Sequence, residues 1–240
     1  MVNRTIDNAS SSNGRTIGSE PINCGSNPYE ATLDFDILKK MKQQVLVIRG
    51  GETFNNYDDY ISYLKNREIR LDNLKTKKGW KNRMEADLGE DFEVFLPEMP
   101  NKRNARYLEW KIWFEKIVDI LDDDLILLGS SLGGIFLAKY LSENKINKKI
   151  KATILIAAPF DDSNNEESLI DFKLPNSLEK FLEQSKNIFL IQSKDDIVVL
   201  FKEVEKYKKA LPNAKVIIFE DRDHFSQETF PEIIELIKQI

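Results

Sequence analysis

At 240 residues the chain is long enough for one α/β domain with an appendage and too short for two ordinary domains. Hydrophobic residues make up 41% and charged residues 31%, which excludes wholesale disorder, and 35 basic against 40 acidic residues give a net charge of −5, so nothing general draws the chain to nucleic acid or anionic lipid. One cysteine, Cys24, and one histidine, His224, exclude an internal disulfide framework, a cysteine-built zinc site and multi-histidine metal chemistry, and this cysteine usage fits a reducing, cytoplasmic compartment.

Residues 1–28 hold five Ser, five Asn and three Gly with hardly a large apolar side chain, too little buried surface to offset the entropy of ordering them. They are expected to form a flexible extension over residues 1–40, with a short helix at its end where Leu33, Ile37, Leu38 and Met41 recur at helical spacing. No apolar run of secretory type appears in it; Arg4, Arg15 and the serines suit an organellar transit peptide, whereas Asp7 and Glu20 do not.

Residues 41–240 read as one α/β domain. Six apolar runs are expected as strands: Val45–Ile48, Phe92–Leu96, Leu125–Leu128, Ala152–Ala157, Ile188–Ile191 and Val216–Phe219. Helical spacing lies between them, at Tyr57, Tyr60, Ile61 and Leu64, at Trp110, Trp113, Phe114, Ile117, Val118 and Leu121, at Ile135, Phe136 and Tyr140, and at Ile233, Ile234 and Ile237. This alternation predicts βαβ units and a parallel sheet, with the Trp110–Trp113 helix packed as core rather than exposed as a binding platform. The longest uncharged apolar stretch, Leu125–Ala138, falls short of the roughly 18 residues that span a bilayer.

One motif carries chemistry. Gly129-Ser130-Ser131-Leu132-Gly133 matches G-x-S-x-G between an expected strand and an expected helix over Leu132–Ser142, the arrangement of a nucleophile elbow. Glycines at 129 and 133 remove side chains that would crowd the turn, and Gly134 lets the helix approach the sheet. A serine hydroxyl attacks only when a base takes its proton, so Ser131 requires His224, which follows the last expected strand. That imidazole needs a carboxylate to orient it, and Asp195 and Asp196 follow the strand before. All three groups thus fall beyond the C-terminal ends of parallel strands, at the sheet edge where ligands bind.

The order Ser, Asp, His is that of α/β-hydrolases. The segments Val45-Leu46-Val47-Ile48-Arg49-Gly50-Gly51, Leu96-Pro97-Glu98-Met99-Pro100-Asn101, Gly129–Gly134, Ser193-Lys194-Asp195-Asp196-Ile197-Val198-Val199 and Asp223-His224-Phe225 resemble the small α/β-hydrolases of the retinoblastoma-binding protein 9-like serine hydrolase family over about residues 43–240. The resemblance implies an α/β-hydrolase fold, three-layered, with a mostly parallel six-stranded sheet and a minimal cap. It favours Asp196 over Asp195, since the family's D-x-V-V-P pattern maps onto Asp196–Leu200, and it implies an oxyanion hole from the N–H groups of Leu132 and Gly51, with Glu52 as the alternative second donor. Arg49, Ser130, Leu200 and Asp223 depart from the family pattern, which often has His, His, Pro and Gly there, and none of these departures removes a catalytic atom.

Residues 52–91 have room for two helices, and the stretch from Lys65 to Arg83 carries eight basic residues, read as a solvated face rather than a nucleic-acid patch. Asp161, Asp162, Glu166, Glu167 and Asp171 are expected to form a negative rim beside the cleft, with Phe160, Leu169 and Phe172 lining an acyl pocket, so that neutral or cationic substrates are favoured. Two functions follow. One is a serine hydrolase that cleaves small carboxylic esters, thioesters or amides through an acyl-enzyme, with no metal or other cofactor. The other is a hydrolase-like module that binds a protein partner with little turnover. A small-molecule acyl substrate is the expected partner; nucleic acid and membrane are not.

Overall fold

The six apolar segments pair into one sheet, in which the inner strands bury their apolar side chains on both faces and the two edge strands are only partly covered. In the computed structural model, which describes residues 42–75, 79–164 and 168–240, these strands are β1 (Gln43–Ile48), β2 (Phe92–Phe95), β3 (Leu125–Ser130), β4 (Ile150–Ile156), β5 (Ile188–Ser193) and β6 (Lys215–Phe219). They lie in the order β2-β1-β3-β4-β5-β6, and every pairing is parallel. The expected extension and the short helix over Leu33–Met41 lie outside the described residues.

Alternate residues of the strands feed two separate cores. Leu46, Ile48, Leu125, Leu127, Leu155 and Leu190 pack on one face with α4 (Tyr107–Asp119), α5 (Leu132–Glu143), α6 (Glu179–Gln184) and α7 (Lys202–Ala210). Val45, Val47, Ile126, Leu128, Ile154 and Ile191 pack on the other with α3 (Trp80–Leu88) and α8 (Pro231–Gln239). Parallel strands joined by right-handed crossovers require this division: β1 steps one way to β2, and from β2 onward the chain steps the other way, so the connecting helices change face. The reversal falls between β1 and β3, which makes the crevice above their C-terminal ends the place for a ligand.

Before α3, the connection from β1 to β2 holds α1 (Tyr57–Asn66) and the single turn α2 (Leu71–Leu74). Asn56 caps α1 by accepting from the Asp59 N–H at 2.9 Å, and Asp58 and Asp59 suit the positive end of its dipole. Trp110 is fully buried in α4, edge-on to Phe136 and Phe172, and its indole donates to the Pro100 carbonyl at 2.8 Å. A buried tryptophan of this kind is worth about 3–5 kcal/mol. Trp113 on the same helix is 44% exposed, so the core reading holds for Trp110 and not for Trp113.

After β4 the described chain contains only two single turns of 3₁₀ helix, Asp162–Asn164 and Ile170–Phe172, before α6, so the cap is small. No described helix is long and apolar enough to cross a membrane.

Candidate active site

The turn from β3 into α5 is tight enough that its backbone leaves the ordinary region. Ser131 has φ 54° and ψ −128°, a conformation disfavoured for a residue with a Cβ. Its N–H donates to the Ile156 carbonyl at 2.9 Å and its own carbonyl accepts from the Gly134 N–H at 2.8 Å, so strand and helix hold the strained residue from both sides. A Cβ on Gly129 would meet the Gly133 carbonyl oxygen at 2.5 Å, and one on Gly133 would strike the backbone of Ile48 and Arg49. The glycines of the motif are thus required by close approach between β1, β3 and α5.

That approach brings the loop after β1 against the serine. A Cβ on Gly50 would lie 3.0 Å from the Ser131 Cβ. Next to it, the N–H of Gly51 has no partner among the described residues, and neither has the N–H of Leu132, the first residue of α5. The Glu52 N–H, by contrast, is engaged at 2.8 Å by the Lys102 carbonyl, so of the two donors considered for the β1 loop only Gly51 is free to bind an oxyanion.

The two aspartates after β5 have different bonds. Asp196 is fully buried; its Oδ1 accepts from the N–H groups of Val198 and Val199, both at 2.9 Å, and its Oδ2 faces the Nδ1 of His224 at 2.9 Å and the Gln192 amide at 3.3 Å. Asp195 turns away. Its Oδ1 accepts from the Ser193 hydroxyl at 2.5 Å and from the Asp223 N–H at 2.9 Å, and these bonds, the hydroxyl first, hold its carboxyl below the usual range. Asp195 therefore ties the loop after β5 to the loop that carries the histidine, while Asp196 meets the imidazole itself.

His224 stands between two residues of positive φ, Asp223 at 46° and Phe225 at 54°. The chain thus places an aspartate in the left-handed region, which Asp tolerates better than most residues. Trp80, at the start of α3, buttresses this loop: its indole N–H donates to the Phe225 carbonyl at 2.9 Å, its backbone N–H to the Gln227 carbonyl at 3.3 Å, and its ring stands edge-on to Phe230. The sequence reading missed this contact because its partners are about 145 residues apart.

Ser131 and His224 line one cavity of about 360 Å³ together with Gly50, Gly51, Glu52 and Lys81. No hydrogen bond joins Ser131 to His224 among the described residues. The Glu52 carboxylate accepts from the Tyr63 hydroxyl at 2.8 Å and from Arg67 at 2.9 Å. Lys81, one of the eight basic residues first read as a solvated face, enters the cavity instead. Burial, and then the nearby Arg49 guanidinium, pull its ammonium down to about 8.

The described residues of the acidic segment after β4 do not line this cavity, which corrects the expected rim at Asp161, Asp162 and Asp171 and the expected acyl pocket at Phe160, Leu169 and Phe172. Asp161 pairs with Lys206 and Asp162 with Lys173, each at 2.7 Å, and Asp171 accepts from the Tyr107 N–H at 3.0 Å. Leu169 and Phe172 are buried in the α4–α7 core, and Phe160 stands edge-on to Tyr207. Glu166 and Glu167 lie outside the described residues. Among the described residues no three His, Cys, Asp or Glu side chains are grouped to hold a metal ion.

Comparison with known proteins agrees with this fold. A family model described as the alpha/beta hydrolase fold matches residues 80–188, a span that includes the elbow and stops short of Asp196 and His224. Serine hydrolase RBBP9 of Rattus norvegicus is 28% identical over 151 residues, 62% of this chain and 78% of that protein. Among solved structures, the ydeN gene product of B. subtilis superposes with a TM-score of 0.63 at 18% identity, covering 82% of this chain and 98% of that one. The esterase domain of a Rhodothermus marinus protein gives 0.53 at 14% identity over 85% and 87% of the two chains. The fold and the elbow thus define a serine hydrolase with the α/β-hydrolase architecture. Within that class the chain is similar to serine hydrolase RBBP9.

Proposed function

We propose that the protein cleaves small carboxylic esters, thioesters or amides with Ser131 as nucleophile, His224 as base and then acid, and Asp196 as the group that orients the imidazole. One observation carries the reading: the only histidine of the chain binds a fully buried carboxylate through Nδ1 at 2.9 Å while lining the same cavity as the strained serine. With Nδ1 so engaged, Nε2 is the nitrogen left to take the Ser131 proton.

In the acylation step Ser131 Oγ bonds to the substrate carbonyl carbon as its proton passes to Nε2. The carbonyl oxygen becomes an oxyanion bound by the N–H groups of Gly51 and Leu132, the latter at the positive end of α5. The tetrahedral centre collapses, the bond to the alcohol, thiol or amine breaks, and that leaving group takes the proton from Nε2. Water then repeats the sequence on the acyl-enzyme, giving up one proton to Nε2, and the acid departs as Oγ recovers it. Every proton transfer and every charge is handled by the chain itself, so the mechanism calls for no metal or cofactor. The reading takes a small acyl compound as the partner, in keeping with a cavity of about 360 Å³, and the cytoplasm as the compartment, in keeping with the lone Cys24.

A fluorophosphonate probe tests the reading, since it reacts only with an activated serine. Labelling should fall on Ser131 and be lost in Ser131→Ala, with ester turnover reduced at least ~10⁴-fold. Labelling that persists in the variant, or that falls on Ser130, would sink the assignment.

A further inference from the structure

Among the described residues, Lys81 is the one charged side chain lining the cavity that has no counter-ion. It makes no hydrogen bond or ion pair among the described residues, and its ammonium stands over the Trp80 ring, 4.4 Å from the centroid. The neighbouring charges do not supply a partner. Glu52 is bonded by Arg67 and Tyr63 through Oε1, its Oε2 has no hydrogen-bond partner and no ion pair to Lys81 among the described residues, and Arg49, which lies close enough to oppose the ammonium, is paired with Glu98 at 3.7 Å and bonded to Asn82. Lys81 is moreover the second residue of α3, whose first turn contains no acidic side chain, so the positive end of the helix dipole adds to the charge rather than relieving it. A cation held in this way costs stability, and lining the same cavity as Ser131 it is ready to bind an anion.

We propose that Lys81 selects substrates that bear a carboxylate on the part held in the cavity, such as half-esters of short dicarboxylic acids. The inference rests on Ser131 being the nucleophile and names the substrate class of that site. An incoming carboxylate supplies the missing counter-ion, and a charge-assisted hydrogen bond is among the stronger contacts a small substrate can make. The acidic segment after β4 does not oppose it, because its described carboxylates are paired elsewhere.

The test compares the 4-nitrophenyl half-ester of glutaric acid with 4-nitrophenyl pentanoate, matched in length and differing in the terminal carboxylate. In the wild-type protein kcat/KM for the half-ester should exceed that for the neutral ester by about tenfold or more, with most of the difference in KM, and should fall as salt is raised. The ratio of the two values should drop about tenfold in Lys81→Met and return in large part in Lys81→Arg. A wild-type preference for the neutral ester, or a ratio untouched by Lys81→Met, overturns the inference. Fluorophosphonate labelling of the wild-type protein separates the two failures: labelled Ser131 with no carboxylate preference refutes the role of Lys81 alone, whereas an unlabelled Ser131 refutes the serine mechanism beneath it.

Discussion

Asp195 and Asp196 differ by one position in sequence, and only Asp196 is bonded to the imidazole. Replacing Asp196 with Asn preserves its size but puts an amide where the imidazole N–H needs an acceptor, and kcat should fall by about 10³ to 10⁴. Asp195→Asn keeps an oxygen for the Asp223 N–H, and turnover should stay within about threefold of wild type. Steady-state kinetics on both variants decides this, and the reverse ranking would move the acid role to Asp195. Lys81 gives a prediction of another kind. Its ammonium is held at about 8 in the folded chain against an ordinary 10.5. Between these values the unfolded state binds more protons, so the stability of the native state rises with pH across that window; below about 8 the cost of the buried charge is present in full. Arg49, Glu52 and His224 are the charged or titratable groups around it, and only Arg49 is identified as opposing its charge. Lys81→Met should therefore be more stable than wild type at pH 7, on the order of 2 kcal/mol, with the gain shrinking as pH climbs from about 8 toward 10.5. Denaturant titrations across that range provide the check.

Among the elements, α3 does more than fill the connection between β1 and β2. Trp80 fixes the backbone of the histidine loop through the Phe225 carbonyl, and Lys81 reaches the cavity from the next position. Trp80→Phe keeps an aromatic ring against Phe230 and removes the indole donor. Because Trp80 positions His224 rather than touching substrate, kcat should fall about tenfold with KM little changed, as kinetics on a neutral ester would reveal; a KM effect alone would mean that Trp80 only shapes the cavity. These contacts also mark what a sequence discloses. The strands were readable because residues such as Leu125 to Leu128 are buried on both faces and their apolar runs stand out from the helical spacing around them. The elbow was readable because its glycines answer to sterics within a few residues. Trp80 and Lys81 lie in a helix whose first turn has no distinctive pattern, and their roles come from groups far along the chain. The acidic segment misled for the same reason: its partners Lys206 and Tyr107 are distant, and charge composition does not say which carboxylates are already paired.

Across the whole molecule, the site exists because the strand order reverses between β1 and β3, which sets the Gly50–Gly51 loop beside the elbow, while β5 and β6 deliver Asp196 and His224 to the same edge. The Ser, Asp, His order along the chain therefore becomes a spatial order along the sheet, and this much follows from parallel strands alone. The bond between the Trp80 indole and the Phe225 carbonyl spans about 145 residues, so it closes one of the longest loops in the domain. Long loops close late during folding, because their entropy is lost before their contacts are gained. The elbow, built from β3, α5 and the adjacent end of β1, can assemble first; the histidine loop can be locked only when α3 and α8 have met. In a refolding experiment the protein should thus pass through a stage with its sheet formed and its serine inert, and reactivity toward fluorophosphonate should return in step with the burial of the Trp80 fluorophore rather than with the recovery of secondary structure.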